Sequence, residues 1–214
     1  EFHPFYRDIN LYFQEALRGV PLPDPGFFFK PPPLGITLLA THLNRNGLSA
    51  VPVHNFFSRE DNKLLLVKRL QEKPFAVGIS TTHLFTKTLL DEITGLVRRL
   101  SPDSRIIAGG PGSEWNISLR PAEAITVLGP GESTLLSLLK ALKAGDDISG
   151  IPNLSYYEKG ILKETPRADN SPLDLAPAPD WGLYPVPPKR VSLQGTRGCR
   201  RSCGFCSYSG DFSA

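Results

Sequence analysis

Apolar residues recur at helical spacing in four stretches of the chain. The stretch 33–47 places its leucines on one face of a helix and ends at Gly47, a residue typical of helix C-termini. The stretch 59–73 begins with acidic residues and ends with basic ones, which matches the helix macrodipole. The same periodicity predicts helices over 86–100 and 132–145.

Short apolar runs lie between these helices and predict strands. Residues 75–80, 104–110 and 124–129 are nearly continuous apolar runs, as expected for strands covered on both faces. Residues 48–56 also predict a short strand, which Pro52 restricts to an edge or a bulge. Strands that alternate with helices at this spacing indicate right-handed βαβ units and a parallel sheet.

The pattern divides the chain into four parts. Residues 1–33 are a leading segment rich in aromatic residues and proline, in which the proline run excludes helix. Residues 34–147 predict a Rossmann-like or flavodoxin-like, doubly wound α/β domain. Residues 148–190 combine a β-hairpin over 148–166 with a Pro-rich linker. Residues 191–214 predict the first strand of a second domain and the loop that follows it.

Composition excludes several classes of protein. The 214 residues are 40% hydrophobic and 21% charged, as in ordinary globular proteins. The net charge is +3, and the basic clusters Arg98-Arg99 and Arg200-Arg201 are pairs rather than a stripe, which does not support nucleic-acid binding. No apolar run approaches the length of a membrane span, and no secretory signal is evident. We therefore expect a cytoplasmic location without membrane contact.

Small residues follow three of the predicted strands, in "GISTTH", "GGPGSEW" and "GPGES". In such sheets ligands bind beyond the carboxyl ends of the strands, near the point where the strand order reverses. Neither a GxGxxG nor a GxxxxGK[ST] string is present, which disfavours dinucleotides and nucleoside triphosphates. The predicted cofactor-binding residues are Ser80, Thr81, Gly109, Gly110, Gly129, Gly131 and Glu132.

Each of these positions also has a structural interpretation. The glycines serve equally well in tight turns between strand and helix. Glu132 is suited to capping its own helix through backbone N–H groups. His83 follows the first of the strand ends, but a single histidine is more often a structural residue than a ligand.

All three cysteines, Cys199, Cys203 and Cys206, lie in "CRRSCGFC". An odd number of cysteines in one cluster fits a reducing compartment better than a disulfide framework. A structural zinc site requires four ligands, and no fourth cysteine exists. An iron–sulfur centre with one open iron fits three thiolates better than zinc or unconnected thiols.

The string "CRRSCGFC", with Phe205 directly before Cys206 and with "GTRGC" leading into it, resembles the CxxxCxxC signature of the radical S-adenosylmethionine superfamily. This resemblance implies a 4Fe-4S cluster held by Cys199, Cys203 and Cys206. It implies that the open iron is chelated by the amino and carboxylate groups of S-adenosylmethionine. Reduction of the cluster would then cleave the sulfonium to a 5′-deoxyadenosyl radical.

The upstream strings "PPLGITLLATHLNRNG", "AVGIST", "IIAGGPG", "VLGPGESTLLSLLKAL" and "ISGIPNLSY" are similar to the cobalamin-binding domain that precedes the barrel in one group of that superfamily. The resemblance spans about residues 31–206 and implies cobalamin as a further cofactor. The D-x-H-x-x-G string that supplies a histidine ligand to cobalt in methionine synthase-like domains is not found. His3, His42, His54 and His83 all lack that context, so we do not expect a histidine ligand.

The resemblance implies an enzyme of methyl transfer or of a related radical modification. It leaves the substrate and the catalytic residues unassigned, and it implies a reductase or a flavodoxin-type electron donor as partner. Arg197, Arg200 and Arg201 either tune the cluster or bind that donor, or they are solvated side chains. The alternative interpretation is a stand-alone α/β ligand-binding module with a vestigial metal loop.

The chain is also expected to be a piece of a longer protein. It contains no methionine, not even at position 1. A (β/α) barrel requires on the order of 200 residues, whereas only its first strand and cluster loop fit into 191–214. We therefore expect this polypeptide to be inactive by itself.

Overall fold

One five-stranded sheet, covered by helices on both faces, makes up the described part of the chain. The computed structural model describes residues 32–57, 59–82, 86–168, 177–186, 188–195, 197 and 203. Its helices are α1 (Leu34–Arg45), α2 (Glu60–Gln71), α3 (Lys87–Leu100), α4 (Pro111–Trp115) and α5 (Glu132–Ala144), with short 3-10 turns at Ile117–Leu119 and Trp181–Leu183. Its strands are β1 (Ala76–Ser80), β2 (Arg105–Gly109), β3 (Ala124–Val127), β4 (Leu154–Glu158) and β5 (Ile161–Glu164).

The strand order is β1-β2-β3-β4-β5, and only the first three strands are parallel. The predicted hairpin is confirmed, and β4 adds it to β3 in antiparallel sense. Its two-residue turn, Lys159-Gly160, has positive φ at both positions, as a tight hairpin turn requires. The α/β class and the parallel sense of the strands within 34–147 are confirmed. The predicted hairpin extends the same sheet in antiparallel sense, and the described strands contain no reversal of order.

Alternating side chains of β2 divide the interior into two cores. Ile106 and Ala108 pack on one face with residues of α3, whereas Ile107 packs on the other face with Leu138 of α5 and Leu154 of β4. A central parallel strand has no solvent face, so both sets must be apolar. This explains why the strand reads as a continuous apolar run in the sequence.

The four predicted helices form close to their predicted bounds. The Thr86 hydroxyl caps α3 by accepting a hydrogen bond from the N–H of Leu89 at 3.4 Å. Gly145 ends α5 in the left-handed conformation, with φ of 78°. Both signals are local, which is why the sequence alone located these helix ends.

Two predicted strands are wrong where the structure describes them. Residues 48–56 form no strand: Pro52 has no N–H to donate, and the side-chain amide of Asn44 binds both the N–H and the carbonyl of Ala50. Residues 191–195 are exposed and also form no strand. A short extended segment becomes a strand only beside a partner, and neither segment has one among the described residues.

The C-terminal part of the Pro-rich linker packs on α1. Tyr184 is only 6% exposed, and its hydroxyl lies 2.8 Å from the Thr37 hydroxyl. The N–H of Asp180 donates to the Thr41 hydroxyl at 2.8 Å. The ring of His54 meets that of Tyr184 edge-on, with a centroid distance of 5.0 Å. The described end of the linker is therefore fastened to the domain.

Truncation of the hairpin should be costly only at the end that joins β3. Leu154 pairs with Val127 and is fully buried, so Leu154→Ala should lower the free energy of unfolding by about 2–5 kcal/mol. Ile161 lies beside the hairpin turn and is 63% exposed, so Ile161→Ala should cost about 1 kcal/mol or less. Urea unfolding of both variants tests this, and equal losses would contradict the burial of Leu154 beside β3.

Acidification should weaken the contact between His54 and Tyr184. Burial, followed by the positive charge of Arg59, lowers the pKa of His54 below its ordinary value, while Asp61 opposes the shift. The unfolded chain therefore binds more protons as the pH falls through about 6.5, and stability falls with it. Urea unfolding at pH 7.5 and 5.5 should show a smaller loss for His54→Gln than for the unsubstituted chain. Equal losses would rule this contribution out.

Candidate functional site

The ends of the three parallel strands meet at one level of the sheet. Ser80 pairs with Gly109, and Gly109 pairs with Val127, so the residues that follow each strand emerge side by side. We call residues 80–82, 109–112 and 129–132 the carboxyl edge. All seven sequence-predicted cofactor-binding residues lie on it, but they do not all have the same role.

Thr81 is a structural brace between two strands. It is 1% exposed, and its N–H donates to the carbonyl oxygen of Gly109 at 2.7 Å. Its hydroxyl oxygen lies 3.1 Å from the carbonyl oxygen of Gly110 and accepts a hydrogen bond from the N–H of Ser113 at 2.9 Å. A hydroxyl with these partners is not free to bind a cofactor, so Thr81 fixes the loop after β2 against the end of β1.

The accessible polar groups are those of Ser80 and Thr82, whose hydroxyl oxygens lie 3.0 Å apart. Thr82 is exposed and is not among the sequence-predicted residues. Gly110 lies beside them with φ of +106°, and a Cβ there would come within 3.2 Å of the Thr82 hydroxyl. The glycine therefore lets the loop after β2 lie closely against the loop after β1.

The two glycines after β3 have different environments. Gly129 has φ of +69°, and the position of a Cβ there is open space. Its N–H donates to the carboxylate of Glu114 at 2.6 Å. At Gly131, in contrast, a Cβ would lie 3.3 Å from the Leu39 side chain, so this glycine lets α5 approach α1. Gly129 belongs to the open part of the edge, and Gly131 to the packing beneath it.

A charged network holds α4 and the hairpin in place. Arg120 donates from Nε to the carbonyl of Ser113 at 2.7 Å, and it forms an ion pair with Glu164 of β5. Glu114 forms an ion pair with Arg167. The two ion pairs do not follow from local sequence, since each joins residues far apart in the chain.

Glu132 forms an ion pair with Arg197, two residues ahead of Cys199. The Arg197 Nη2 atom donates to Glu132 Oε1 at 2.6 Å, and Nη1 to Oε2 at 3.4 Å. The two side chains are only 8% and 16% exposed. The interpretation of Arg197 as a solvated side chain is therefore wrong. Gly131 occupies the N-cap position of α5, and Glu132, its first residue, directs its carboxylate to Arg197.

The cysteines are only partly described. Cys203 is half-buried, while Cys199 and Cys206 lie outside the described residues, as do Arg200, Arg201, His3 and His83. Among the residues that are described, no group of three or more His, Cys, Asp or Glu side chains is placed to hold a metal ion. The three-cysteine ligand set stays a prediction.

The open part of the carboxyl edge consists of small side chains without positive charge. No side chain longer than threonine lies at positions 80–82, 109–110 or 129, and the space beside Gly129 is open. These positions offer hydroxyl groups and backbone, but no lysine or arginine to neutralise a phosphate. The absence of large side chains lets a ligand approach the backbone closely over three strand ends.

The chain is similar to one curated protein over most of its length. No family model matches the chain. An uncharacterized methyltransferase of Pyrococcus horikoshii is 29% identical over 196 residues, which cover 85% of this chain. The chain spans only 41% of the length of that curated relative.

Solved structures of two enzymes are also similar to this chain. The radical S-adenosylmethionine methyltransferase TsrM of Kitasatospora setae, with cobalamin and a [4Fe-4S] cluster bound, is similar with a TM-score of 0.55 and 25% identity, over 72% of this chain and 29% of that chain. Its form with tryptophan and a SAM analog matches with a TM-score of 0.52 and 26% identity, over 64% and 28%. The cobalamin-dependent S-adenosylmethionine radical enzyme OxsB matches with a TM-score of 0.60 and 22% identity, over 81% of this chain and 25% of that chain. This likeness shows a shared fold.

The curated relative and TsrM are both named as methyltransferases. Within the described part of the chain, the helices are too short or too polar to cross a bilayer.

Substitution of a single glycine should test the brace at Thr81. A Cβ at Gly112 would lie 2.5 Å from the Thr81 carbonyl oxygen, which is backbone and cannot move aside cheaply. Gly112→Ala should therefore cost about 1–3 kcal/mol of unfolding free energy. The matched control is Gly95→Ala, in open space on α3, which should stabilise by about 0.5–1 kcal/mol. Urea unfolding distinguishes them, and a neutral Gly112→Ala would refute the close contact.

Proposed function

We propose that this chain supplies the cobalamin-binding part and the cluster motif of a cobalamin-dependent radical S-adenosylmethionine methyltransferase. The observation that carries the proposal is the carboxyl edge, where small residues follow three aligned strand ends. The similarity to TsrM, whose structure holds cobalamin and a [4Fe-4S] cluster, supports the same assignment. The activity of the whole protein is part of this proposal, because the chain covers under half of its relatives' length.

The cobalamin would rest on the open part of the edge. Ser80 and Thr82 offer hydroxyl groups for hydrogen bonds, and Gly129 leaves open space beside its backbone. Gly109 and Gly110 allow the neighbouring loops to pack closely, since a Cβ at either position would contact Val127 or Thr82. Thr81, Gly131 and Glu132 act beneath this surface rather than on it. Bound cobalamin would supply a carrier for the methyl group.

The three cysteines would hold the cluster as thiolates, which are the ligands that iron–sulfur clusters prefer. With three ligands from Cys199, Cys203 and Cys206, one iron would stay open to S-adenosylmethionine. The bound cluster would supply the electron for reductive chemistry, delivered by a reductase or flavodoxin-type donor. The role of the chain's own residues is to hold the two cofactors near one another and to fix their orientation.

Anaerobic reconstitution with iron, sulfide and hydroxocobalamin tests the proposal. We expect about four iron atoms per chain, as for one 4Fe-4S cluster, together with cobalamin that stays bound through gel filtration. Cys203→Ser should lose iron while it retains cobalamin, because the thiolate is a ligand of the cluster alone. Zinc in place of iron, or the absence of both cofactors, would instead favour a ligand-binding module with a vestigial metal loop.

A second variant separates the cobalamin surface from the cluster. Gly129→Asn fills the open space beside the edge with a residue that tolerates positive φ, and it should weaken cobalamin binding at least about tenfold. Gly47→Asn is its matched control, since Gly47 also has positive φ and open surroundings but follows α1, away from the carboxyl edge. Equal retention of cobalamin by both variants would contradict the assigned surface.

A further inference from the structure

One buried ion pair joins the cysteine-bearing segment to the sheet. Residues 189–195 are all exposed, and Arg197, which follows them, is the residue that becomes buried. Its guanidinium donates two hydrogen bonds to the Glu132 carboxylate, the fork-like arrangement that gives such pairs their geometric specificity. The segment therefore makes a directed contact with the carboxyl edge at Arg197.

Glu132 lies at the N-terminus of a helix. It is the first residue of α5, where the helix dipole stabilises a negative charge. Arginine keeps its charge at all physiological pH values. A pair of this kind, shielded from solvent, is also less sensitive to salt than a surface pair. The contact is therefore suited to a permanent structural link rather than to a switch.

Covalent geometry limits how far the cysteines stand from this contact. Cys199 is two residues from Arg197, a reach of at most about 7 Å, and Cys203 is six residues away, at most about 22 Å. On the other side of the pair, Gly129 precedes Glu132 by three residues, at most about 11 Å. One ion pair thus lies between the open part of the edge and the start of the cysteine motif.

We propose that Arg197 and Glu132 are positioning residues: their ion pair fastens the cysteine-bearing segment to the carboxyl edge and so fixes the cluster loop beside the surface that receives the second cofactor. The fastening itself follows from the geometry of the pair. Only the identity of what the loop and the edge bind rests on the proposed function.

Limited trypsin digestion of the full chain tests the fastening without any cofactor. The exposed segment around Arg190 is held at Tyr184 on one side and at Arg197 on the other, so we expect this restraint at both ends to slow its fit into the protease active site. Glu132→Gln and Arg197→Glu should each speed that cleavage at least about tenfold. The exchanged pair, Glu132→Arg with Arg197→Glu, should restore resistance.

Two controls separate local release from general unfolding. Cleavage after Lys159, in the hairpin turn, should stay constant in every variant. Asp91→Asn removes a partner from the exposed Lys87–Asp91 pair and should leave cleavage after Arg190 unchanged. If a single variant unfolds, cleavage accelerates after both Arg190 and Lys159. Cleavage after Arg190 in Arg197→Lys and in the exchanged pair then tests the role of the ion pair. A folded exchanged pair that is cleaved as fast as the single variants overturns the proposal, as does unchanged cleavage in both single variants.

A second measurement links the pair to the cluster loop. After reconstitution with iron and sulfide, Glu132→Gln should release iron to a chelator faster than the unsubstituted chain, with release slowed again in the exchanged pair. If no iron binds, the proposed function fails, while the digestion still decides the role of the pair. If iron binds and its release is the same in all variants, the pair does not position the loop.

Discussion

The in-register pairing of β1, β2 and β3 is the constraint on which the rest of the structure depends. Because Ser80, Gly109 and Val127 stand at one level, three successive loops leave the sheet side by side. Thr81 then ties the first of these loops to the second through its N–H and hydroxyl. A slip of one residue in either ladder would exchange the two cores of β2 and separate the loops, so the site and the hydrophobic interior are specified together.

A few charged side chains near the carboxyl edge are mostly buried. Glu132 and Arg197 are nearly buried, and Arg120 is 11% exposed while it contacts α4 and both strands of the hairpin. Removal of one partner of a buried pair typically costs about 3–5 kcal/mol, because it leaves an uncompensated charge. Surface pairs such as that of Lys87 and Asp91 contribute little by comparison. The edge is therefore stiffened by a few directed contacts among residues of distant sequence.

The elements that the sequence predicted correctly carry local signals. Thr86 and Gly145 mark helix ends, apolar runs mark β1 to β3, and Lys159-Gly160 marks the hairpin turn. The prediction fails where an extended segment needed a partner, as at residues 48–56, which the side chain of Asn44 holds instead. The prediction also does not say which of the carboxyl-edge residues are exposed and which are buried. A threonine or a glycine has the same place in the sequence pattern whether it faces solvent or packs against a loop.

The sequence by itself determined the α/β class, the helix ends, the positions of the small residues after each strand, and the spacing of the three cysteines. These follow from periodicity and short-range spacing, which act over a few residues. Only the tertiary structure decided that Thr81 braces the edge while Ser80 and Thr82 face outward, and that Glu132 pairs with Arg197, 65 residues later. Such contacts depend on how the sheet and its loops pack in space, and no local pattern in the chain encodes that packing.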